Sequence, residues 1–184
     1  MSDDKSMVLF GDSLLAEIRK SLILKLESKF KNTVVFNCAT GGINTNDGIK
    51  RINLISKMKP NYVVLSFGAN DCAPWKEQVP LELFTKNYTK IIKSFPLSEV
   101  IVFLCPMANF PDDNASSQLF NKQLLLYNSV SKQIALENKA KLIDIQLDLE
   151  KLFEAGQKYH EADGLHLNEI GYQVFIDELV RMVN

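Results

Sequence analysis

Short apolar runs alternate with longer amphipathic segments along the whole chain. Five runs are apolar at nearly every position and rich in β-branched residues, which is typical of strands covered on both faces by helices. They are residues 7–10, 33–37, 62–67, 99–104 and 141–145. Apolar residues at helical spacing predict helices between and after these runs, at about 14–29, 46–58, 81–95, 118–138 and 168–183.

This alternation predicts an α/β protein with a mainly parallel sheet. Right-handed crossovers place helices on both faces of such a sheet. We therefore expect a three-layer α/β/α sandwich with a five-stranded parallel sheet of order 2-1-3-4-5. Ligands of these sheets bind beyond the carboxyl ends of the strands, where the strand order reverses. The loops that follow the strands are therefore the places to look for chemistry.

Length and charge narrow the class of protein. The chain has 184 residues, enough for one domain with a substantial core, so residues 1–184 are expected to form a single domain. A net charge of −1 gives no general attraction to phosphate backbones, and we expect no nucleic-acid partner. The longest apolar runs are too short to span a bilayer, which argues against an integral membrane protein.

The cysteines and the first residues indicate the compartment. The chain has three cysteines, at 38, 72 and 105, and they form no C-x-x-C pair. They are typical of reduced thiols rather than of a disulfide framework or a zinc site. The opening MSDDKS is polar and acidic, which argues against a secretory signal. We therefore expect a cytoplasmic protein, and its oligomeric state stays open.

The first loop, Gly-Asp-Ser at 11–13, follows the first predicted strand. Gly11 permits a tight turn there. Ser13 falls at the first turn of the next helix, where free N–H groups point outward. Two interpretations remain open from this tripeptide. Ser13 either caps the helix or acts as a nucleophile whose own N–H helps to stabilise an oxyanion.

Two further loops follow neighbouring strands. Residues 37–48 are rich in glycine, which allows close approach to a ligand or simply forms turns. The chain has no G-x-x-x-x-G-K-[ST] and no G-x-G-x-x-G motif, so nucleotide binding lacks its usual support. In the loop at 66–75, Asn70 is either a turn residue or an amide donor directed into a site.

The histidines supply the candidate base. Only His160 and His166 are present, and Asp163 precedes His166 by three residues, a spacing that brings side chains together in a helical turn. A carboxylate there fixes the imidazole tautomer and stabilises the imidazolium. Together the four loops offer a hydroxyl nucleophile, a base, its orienting carboxylate and oxyanion donors, the set required for acyl transfer.

Four motifs in order carry a family resemblance. They are GDSL at 11–14, N-x-x-x-x-G ending at Gly42, G-x-N-D at 68–71 and D-x-x-H at 163–166. With them the chain resembles the SGNH (GDSL-type) hydrolases, a family of lipases and esterases. The resemblance implies a flavodoxin-like fold and ester hydrolysis that requires no metal or organic cofactor.

The resemblance also assigns roles residue by residue. It implies Ser13 as nucleophile, His166 as base and Asp163 as its orienting partner. The oxyanion hole would consist of the Ser13 and Gly42 N–H groups and the Asn70 amide. The chain departs from the family in its Gly-Gly doublet at 41–42, so the glycine that contributes an N–H to the oxyanion hole could be shifted by one position. It departs again at 167, where leucine stands in place of the usual proline.

The substrate is the least specified part. Trp75, Phe110 and Tyr159 are candidates for the pocket wall, and the polar, acidic loops around the latter two favour a small or polar acyl ester, such as an O-acetyl sugar. A lysophospholipase or a thioesterase would use the same triad. From another class, a non-catalytic flavodoxin-like module would use the glycine loop to hold an anion or a flavin. Cys72, beside Asn70, is either an alternative nucleophile or a small buried hydrophobe.

Overall fold

The computed structural model describes residues 4–30, 32–111 and 113–183. Five strands form one parallel sheet in the order β2-β1-β3-β4-β5, which confirms the predicted topology. The strands are β1 (Lys5–Gly11), β2 (Thr33–Asn37), β3 (Tyr62–Ser66), β4 (Glu99–Phe103) and β5 (Lys141–Ile143).

Eight helices connect and follow the strands in the described part of the chain. They are α1 (Ser13–Ala16), α2 (Lys20–Lys29), α3 (Thr45–Ser56), α4 (Ala69–Cys72), α5 (Leu81–Lys93), α6 (Asn114–Glu137), α7 (Gln146–Glu154) and α8 (Glu169–Val183). Helix α5 contacts both α3 and α6, whereas α2 contacts α8, so the helices form two groups. The architecture is the expected α/β/α sandwich.

The central strands explain why their sequences are apolar without alternation. The side chains at 7–10 in β1 and at 63–65 in β3 are fully buried. Helices cover both faces of the sheet there, so each position contributes to the core. Burying one large aliphatic or aromatic side chain is worth roughly 1.5–3 kcal/mol. These two strands form the rigid base from which the loops of the site extend.

The predicted helix at 14–29 consists of two helices, so the prediction of one continuous helix was wrong. One turn of α1 ends at Glu17, and Arg19 then adopts an extended conformation (φ −62°, ψ 153°) before α2 begins. No glycine or proline lies in this segment to signal the break. The break leaves Ile18 buried in the core, so tertiary packing overrides the local helical periodicity.

Other boundaries differ because of capping. Helix α6 begins at Asn114 rather than near 118, because the Asp113 carboxylate accepts the Ser116 N–H at 2.9 Å. Asn168 caps α8 as expected, and its Oδ1 accepts the N–H groups of Ile170 and Gly171. Helices α4 and α7 were not predicted. No helix in the described residues combines the length and apolar character needed to cross a membrane.

Candidate active site

A cavity of about 270 Å³ lies beyond the carboxyl ends of β1 and β3. Residues from all four loops singled out in the sequence line it, together with Cys105 after β4 and Phe120 of α6. The lining side chains and backbone come from Asp12, Ser13, Leu14, Glu17, Gly41, Gly42, Ala69, Asn70, Ala73, Trp75, Lys76, Cys105, Phe120, Leu165 and His166. The structure therefore brings most of the predicted site residues to one place.

Ser13 is positioned by its two predecessors in the chain. At position 11 a Cβ would lie 2.1 Å from the Ser66 carbonyl oxygen, so only glycine lets β1 approach β3 this closely. Asp12 caps α1, because its Oδ1 accepts the Leu14 N–H at 3.0 Å. Since Asp12 fills the capping role, the Ser13 side chain is left for another partner. The alternative of Ser13 as the helix cap is thereby excluded.

That partner is His166. The Ser13 Oγ lies 2.8 Å from Nε2 of His166, and Nδ1 of the same ring lies 2.5 Å from Oδ2 of Asp163. A carboxylate accepts the Nδ1 proton, which leaves Nε2 as the acceptor for the serine hydroxyl. The ring is 19% exposed, so water has limited access to it. The arrangement can transfer the Ser13 proton to His166 as the oxygen attacks.

Asp163 is ionised more readily than an ordinary aspartate. Partial burial opposes its ionisation, but hydrogen bonds from the His166 ring and from the Leu165 and His166 N–H groups outweigh that effect and lower its pKa. The predicted helical turn between Asp163 and His166 is not present. They meet in a tight turn in which Gly164 has a φ of +70°, a conformation that glycine adopts readily.

Several N–H donors on the cavity are without a partner among the described residues. They include the N–H of Ser13, the N–H of Gly42 and the Nδ2 of Asn70, which form no hydrogen bond with the described residues. Gly42 has a φ of +79°. Gly41 also lines the cavity, so the one-position choice between the two glycines stays a prediction.

Two carboxyl groups under the site are protonated more readily than usual. Burial raises the pKa of Asp12 to about 7 and that of Asp71 to about 6, and the nearby Asp71 adds to the increase at Asp12. Oδ1 of Asp71 accepts both the N–H and the hydroxyl of Thr45. Its Oδ2 is buried and forms no hydrogen bond with a described residue, which is costly for a charged group.

The aromatic candidates separate into two groups. Trp75 lines the cavity, and its ring packs against those of Phe110 and Phe120 with centroids 5.6 and 5.2 Å away. Phe110 thus supports the wall from behind. Tyr159 was misplaced by the sequence argument. It is buried against His160 and lines a separate cavity with residues from both sides of it in the chain, among them Phe153 and Glu161.

Sequence reasoning missed three residues of the site. Glu17 places Oε1 3.4 Å from Nε2 of His166, and its position one helical turn after Ser13 was a usable signal. Lys76 places its Nζ 2.5 Å from Oδ1 of Asn70, and Phe120 extends to the cavity from α6. Nothing local in the sequence indicates the direction of these last two side chains.

Cys72 is not a nucleophile in this arrangement. Its side chain is fully buried, and its Sγ lies 3.5 Å from the carbonyl oxygen of Ala69 in α4. Burial and then the charge of Asp71 raise the pKa of the thiol to about 12. A thiol with so high a pKa forms almost no thiolate at neutral pH. The residue is a small buried hydrophobe.

The fold and the residues on the cavity define a class of protein, the ester-hydrolysing enzymes with a flavodoxin-like α/β/α fold. The model of the GDSL-like Lipase/Acylhydrolase family matches residues 9–174, nearly the whole chain. The chain belongs to this family. Membership confirms the predicted resemblance and favours an enzyme over a non-catalytic binding module.

Two relatives carry functional names. The chain is 26% identical over 144 residues to the GDSL esterase/lipase WDL1 of Oryza sativa subsp. japonica, a match that covers 70% of this chain and 55% of the rice protein. It is also 23% identical to the isoamyl acetate-hydrolyzing esterase of Saccharomyces cerevisiae, over 100% of this chain and 78% of the yeast protein. The chain thus spans about half the length of the rice relative.

Solved structures agree on the fold. A lipase/acylhydrolase from Enterococcus faecalis superposes with a TM-score of 0.79 at 26% identity, over 97% of this chain and 95% of that one. The acetyl xylan esterase AlAXEase superposes with the same TM-score at 22% identity, over 97% and 100% of the two chains. At that lower identity the second match supports the fold alone.

Proposed function

We propose that this protein hydrolyses carboxylic esters of small acyl groups, acetyl above all, through an acyl-enzyme on Ser13. The observation that carries the proposal is the line of two hydrogen bonds from Ser13 through His166 to Asp163. A hydroxyl, a base and an orienting carboxylate at these distances match the requirement for nucleophilic acyl transfer.

The reaction proceeds in two halves. As Ser13 Oγ bonds to the ester carbonyl carbon, its proton moves to Nε2 of His166 and charge develops on the carbonyl oxygen. The collapse of this intermediate breaks the ester C–O bond, and the departing alcohol takes the proton from Nε2. Water then attacks the acyl-enzyme with the same base, which releases the carboxylic acid and restores Ser13.

The oxyanion faces the free donors of the cavity. In this proposal the N–H groups of Ser13 and Gly42 and the Nδ2 of Asn70 stabilise it. Loss of one such donor typically raises the barrier by roughly 2.7–4 kcal/mol. Their lack of other partners in the described part of the chain supports this role, because a donor held ready needs no rearrangement during the reaction.

The preference for small acyl groups rests on the size of the cavity. At about 270 Å³ it is slightly smaller than most small-molecule sites, which span roughly 300–1,000 Å³. Trp75 and Phe120 close one side of it. One sequence relative has a name that refers to an acetate ester, the isoamyl acetate-hydrolyzing esterase of yeast, which is consistent with the same preference.

A panel of chromogenic esters tests both parts of the proposal. We would assay three forms of the enzyme, the wild type, Ser13→Ala and the exposed-serine control Ser21→Ala. Each form is tested on p-nitrophenyl acetate, butyrate and octanoate, on acetylated xylose, and on acetyl and palmitoyl thioesters. We expect the highest kcat/KM for acetate, no turnover by Ser13→Ala and unchanged turnover by Ser21→Ala. A preference for octanoate or palmitoyl thioester would instead favour a lysophospholipase or a thioesterase.

A serine-directed fluorophosphonate tests the nucleophile separately. Intact-mass analysis should show one adduct on the wild type and on Ser21→Ala, and none on Ser13→Ala. His166→Ala should react far more slowly, because the base is missing. An adduct on Ser13→Ala would contradict the assignment.

We also propose a reducing compartment such as the cytoplasm. Cys38, Cys72 and Cys105 are all unpaired, and the last two are buried. Unpaired thiols are usual where glutathione and thioredoxin keep them reduced. Cell fractionation with antibody detection tests this, and recovery in a secreted fraction would contradict it.

A further inference from the structure

Lys76 reaches back over the site from the segment after α4. Its Nζ lies 2.5 Å from Oδ1 of Asn70 and 3.2 Å from the carbonyl oxygen of Gly42. Both acceptors are neutral oxygens of residues that carry proposed oxyanion donors. In the described residues no carboxylate forms an ion pair with this ammonium, so a surface salt bridge does not account for its position.

The chemistry of an ammonium group fixes the Asn70 amide. Lysine offers three donors and no acceptor, so the amide atom that faces Nζ must be the oxygen. The NH₂ group is on the opposite branch of the same planar amide. Asn70 lines the cavity, and its Nδ2 has no partner in the described structure. The amide is therefore held with its donors available to a ligand oxygen.

The Gly42 carbonyl serves as the second anchor. A lysine side chain has four rotatable bonds and on a surface is normally mobile. Here the bond to Gly42 ties the ammonium to the glycine loop while it holds Asn70 on the other side. Hydrogen bonds from a charged donor are about twice as strong as neutral ones, which favours this bridged arrangement.

We propose that Lys76 is a positioning residue that orients the Asn70 amide, so that Nδ2 points at the oxyanion. The inference rests on the proposed function, because it requires an oxyanion formed at Ser13. Without the ammonium the amide can rotate and present its oxygen to the developing negative charge. The expected effect therefore appears in the transition state and leaves substrate binding largely unchanged.

The first experiment replaces the ammonium and keeps the length of the side chain. Lys76→Met is compared with Lys86→Met, which changes an exposed lysine of α5 that has no bonded partner in the described residues. On p-nitrophenyl acetate we expect kcat of Lys76→Met to fall about tenfold, with KM within about twofold of the wild type. Lys86→Met should match the wild type, and circular dichroism should show both variants folded.

The second experiment is a double-mutant cycle with Asn70→Ala. If Lys76 acts through the amide, Lys76→Met should cost less than about twofold in kcat once the amide is gone. An equal tenfold loss in the Asn70→Ala background would overturn the inference, since the ammonium would then act directly on the substrate. An unchanged kcat in the single variant, or a loss confined to KM, would overturn it as well.

A failure of the inference about Lys76 can be distinguished from a failure of the proposed function. If the wild type forms no fluorophosphonate adduct on Ser13, the proposed function has failed. If Ser13 is labelled and Ser13→Ala is inactive while Lys76→Met behaves as the wild type, only the role of Lys76 is overturned.

Discussion

Asp163 holds His166 at two points. Its Oδ2 lies 2.5 Å from the ring nitrogen Nδ1, and its Oδ1 accepts the backbone N–H of the same histidine at 3.0 Å. One carboxylate therefore sets both the position of the residue and the orientation of its ring. The two contacts are separable by substitution, because the backbone bond needs only an acceptor and the ring bond needs a carboxylate.

Asp163→Asn should preserve the turn and remove most of the activity. The amide oxygen can still accept the backbone N–H groups, but the amide nitrogen cannot accept the Nδ1 proton and favours the wrong tautomer. We expect kcat to fall about 10⁴-fold, with at most a small drop in melting temperature from the loss of the ionised carboxylate. Asp177→Asn, an exposed aspartate of α8, is the matched control for kcat and melting. A loss of less than tenfold would contradict the role of Asp163.

Alanine substitutions at two glycines with positive φ distinguish the cost of backbone strain from the cost of a steric clash. Gly164 and Gly156 have φ angles of +70° and +79°, and at position 164 a Cβ would lie 2.0 Å from the Asn109 carbonyl oxygen. At position 156 nothing lies within 4 Å of such a Cβ. Gly156→Ala should therefore cost only about 1–2 kcal/mol in the free energy of unfolding.

Gly164→Ala should lower both stability and activity more than Gly156→Ala does. Its methyl group would collide with backbone, so the turn that carries Asp163 and His166 must shift. We expect a larger loss in the free energy of unfolding and a loss of at least about tenfold in kcat, since displacements near 1 Å are costly to catalysis. Urea unfolding and acetate hydrolysis measure the two effects. Equal behaviour of the two alanine variants would refute the steric explanation.

Asp12→Asn should stabilise the protein in a pH-dependent way. The folded state keeps Asp12 protonated up to about pH 7, whereas the unfolded chain ionises near the ordinary value of 3.8. The folded state thus binds more protons between these pH values, so the contribution of Asp12 to stability falls as pH rises through them. The asparagine cannot ionise, and its Oδ1 still accepts the Leu14 N–H.

The measurement is a series of melting curves. The difference between Asp12→Asn and wild type should be near zero at pH 4, grow up to pH 7 and then stay level at about 2–4 kcal/mol. Part of the wild-type pH dependence should persist in the variant, because Asp71 is also buried. A difference that is the same at pH 4 and pH 8 would show that ionisation of Asp12 is not its cause.

Trp75→Ala should extend the range of acyl chains. Its indole is 53% exposed, so its removal opens the cavity wall at little cost to the core. We expect the ratio of kcat/KM for octanoate over acetate to rise about tenfold or more. Phe153→Ala, which removes a similarly exposed ring from the separate cavity of Tyr159, is the control. An unchanged ratio in Trp75→Ala would place the acyl group elsewhere.

The fold was predictable because strands that are buried on both faces have uninterrupted apolar sequences. The run at 63–65 has no polar position at which an exposed face could exist, and this points to a parallel sheet between helices. The break between α1 and α2 was not predictable, since it arises from the burial of Ile18 and not from a local breaker. Helix α7 was not predicted, because its residues follow the predicted strand at 141–145, where a connecting loop is expected.

The site was predictable where motifs follow strand ends. Ser13, Asn70 and His166 come from distant parts of the sequence and line one cavity, as the topology requires. Tyr159 was misplaced because the direction of a residue after an unrecognised helix depends on tertiary packing. Lys76 could not be found from the sequence, because a long, flexible side chain at the surface gives no signal of where its end lies.

Ser13 and His166 are separated by 153 positions in the chain, and the Tyr172 hydroxyl donates a hydrogen bond to the Leu14 carbonyl oxygen across a similar interval. During translation the serine is made with the first strand, long before the histidine leaves the ribosome. In the proposed mechanism the Ser13 hydroxyl of a nascent chain therefore has no base to activate it until His166 is made. In the proposed mechanism Ser13 is activated only when the segment that carries His166 and α8 has docked against α1, so ester turnover would report that the two ends of the fold have come together.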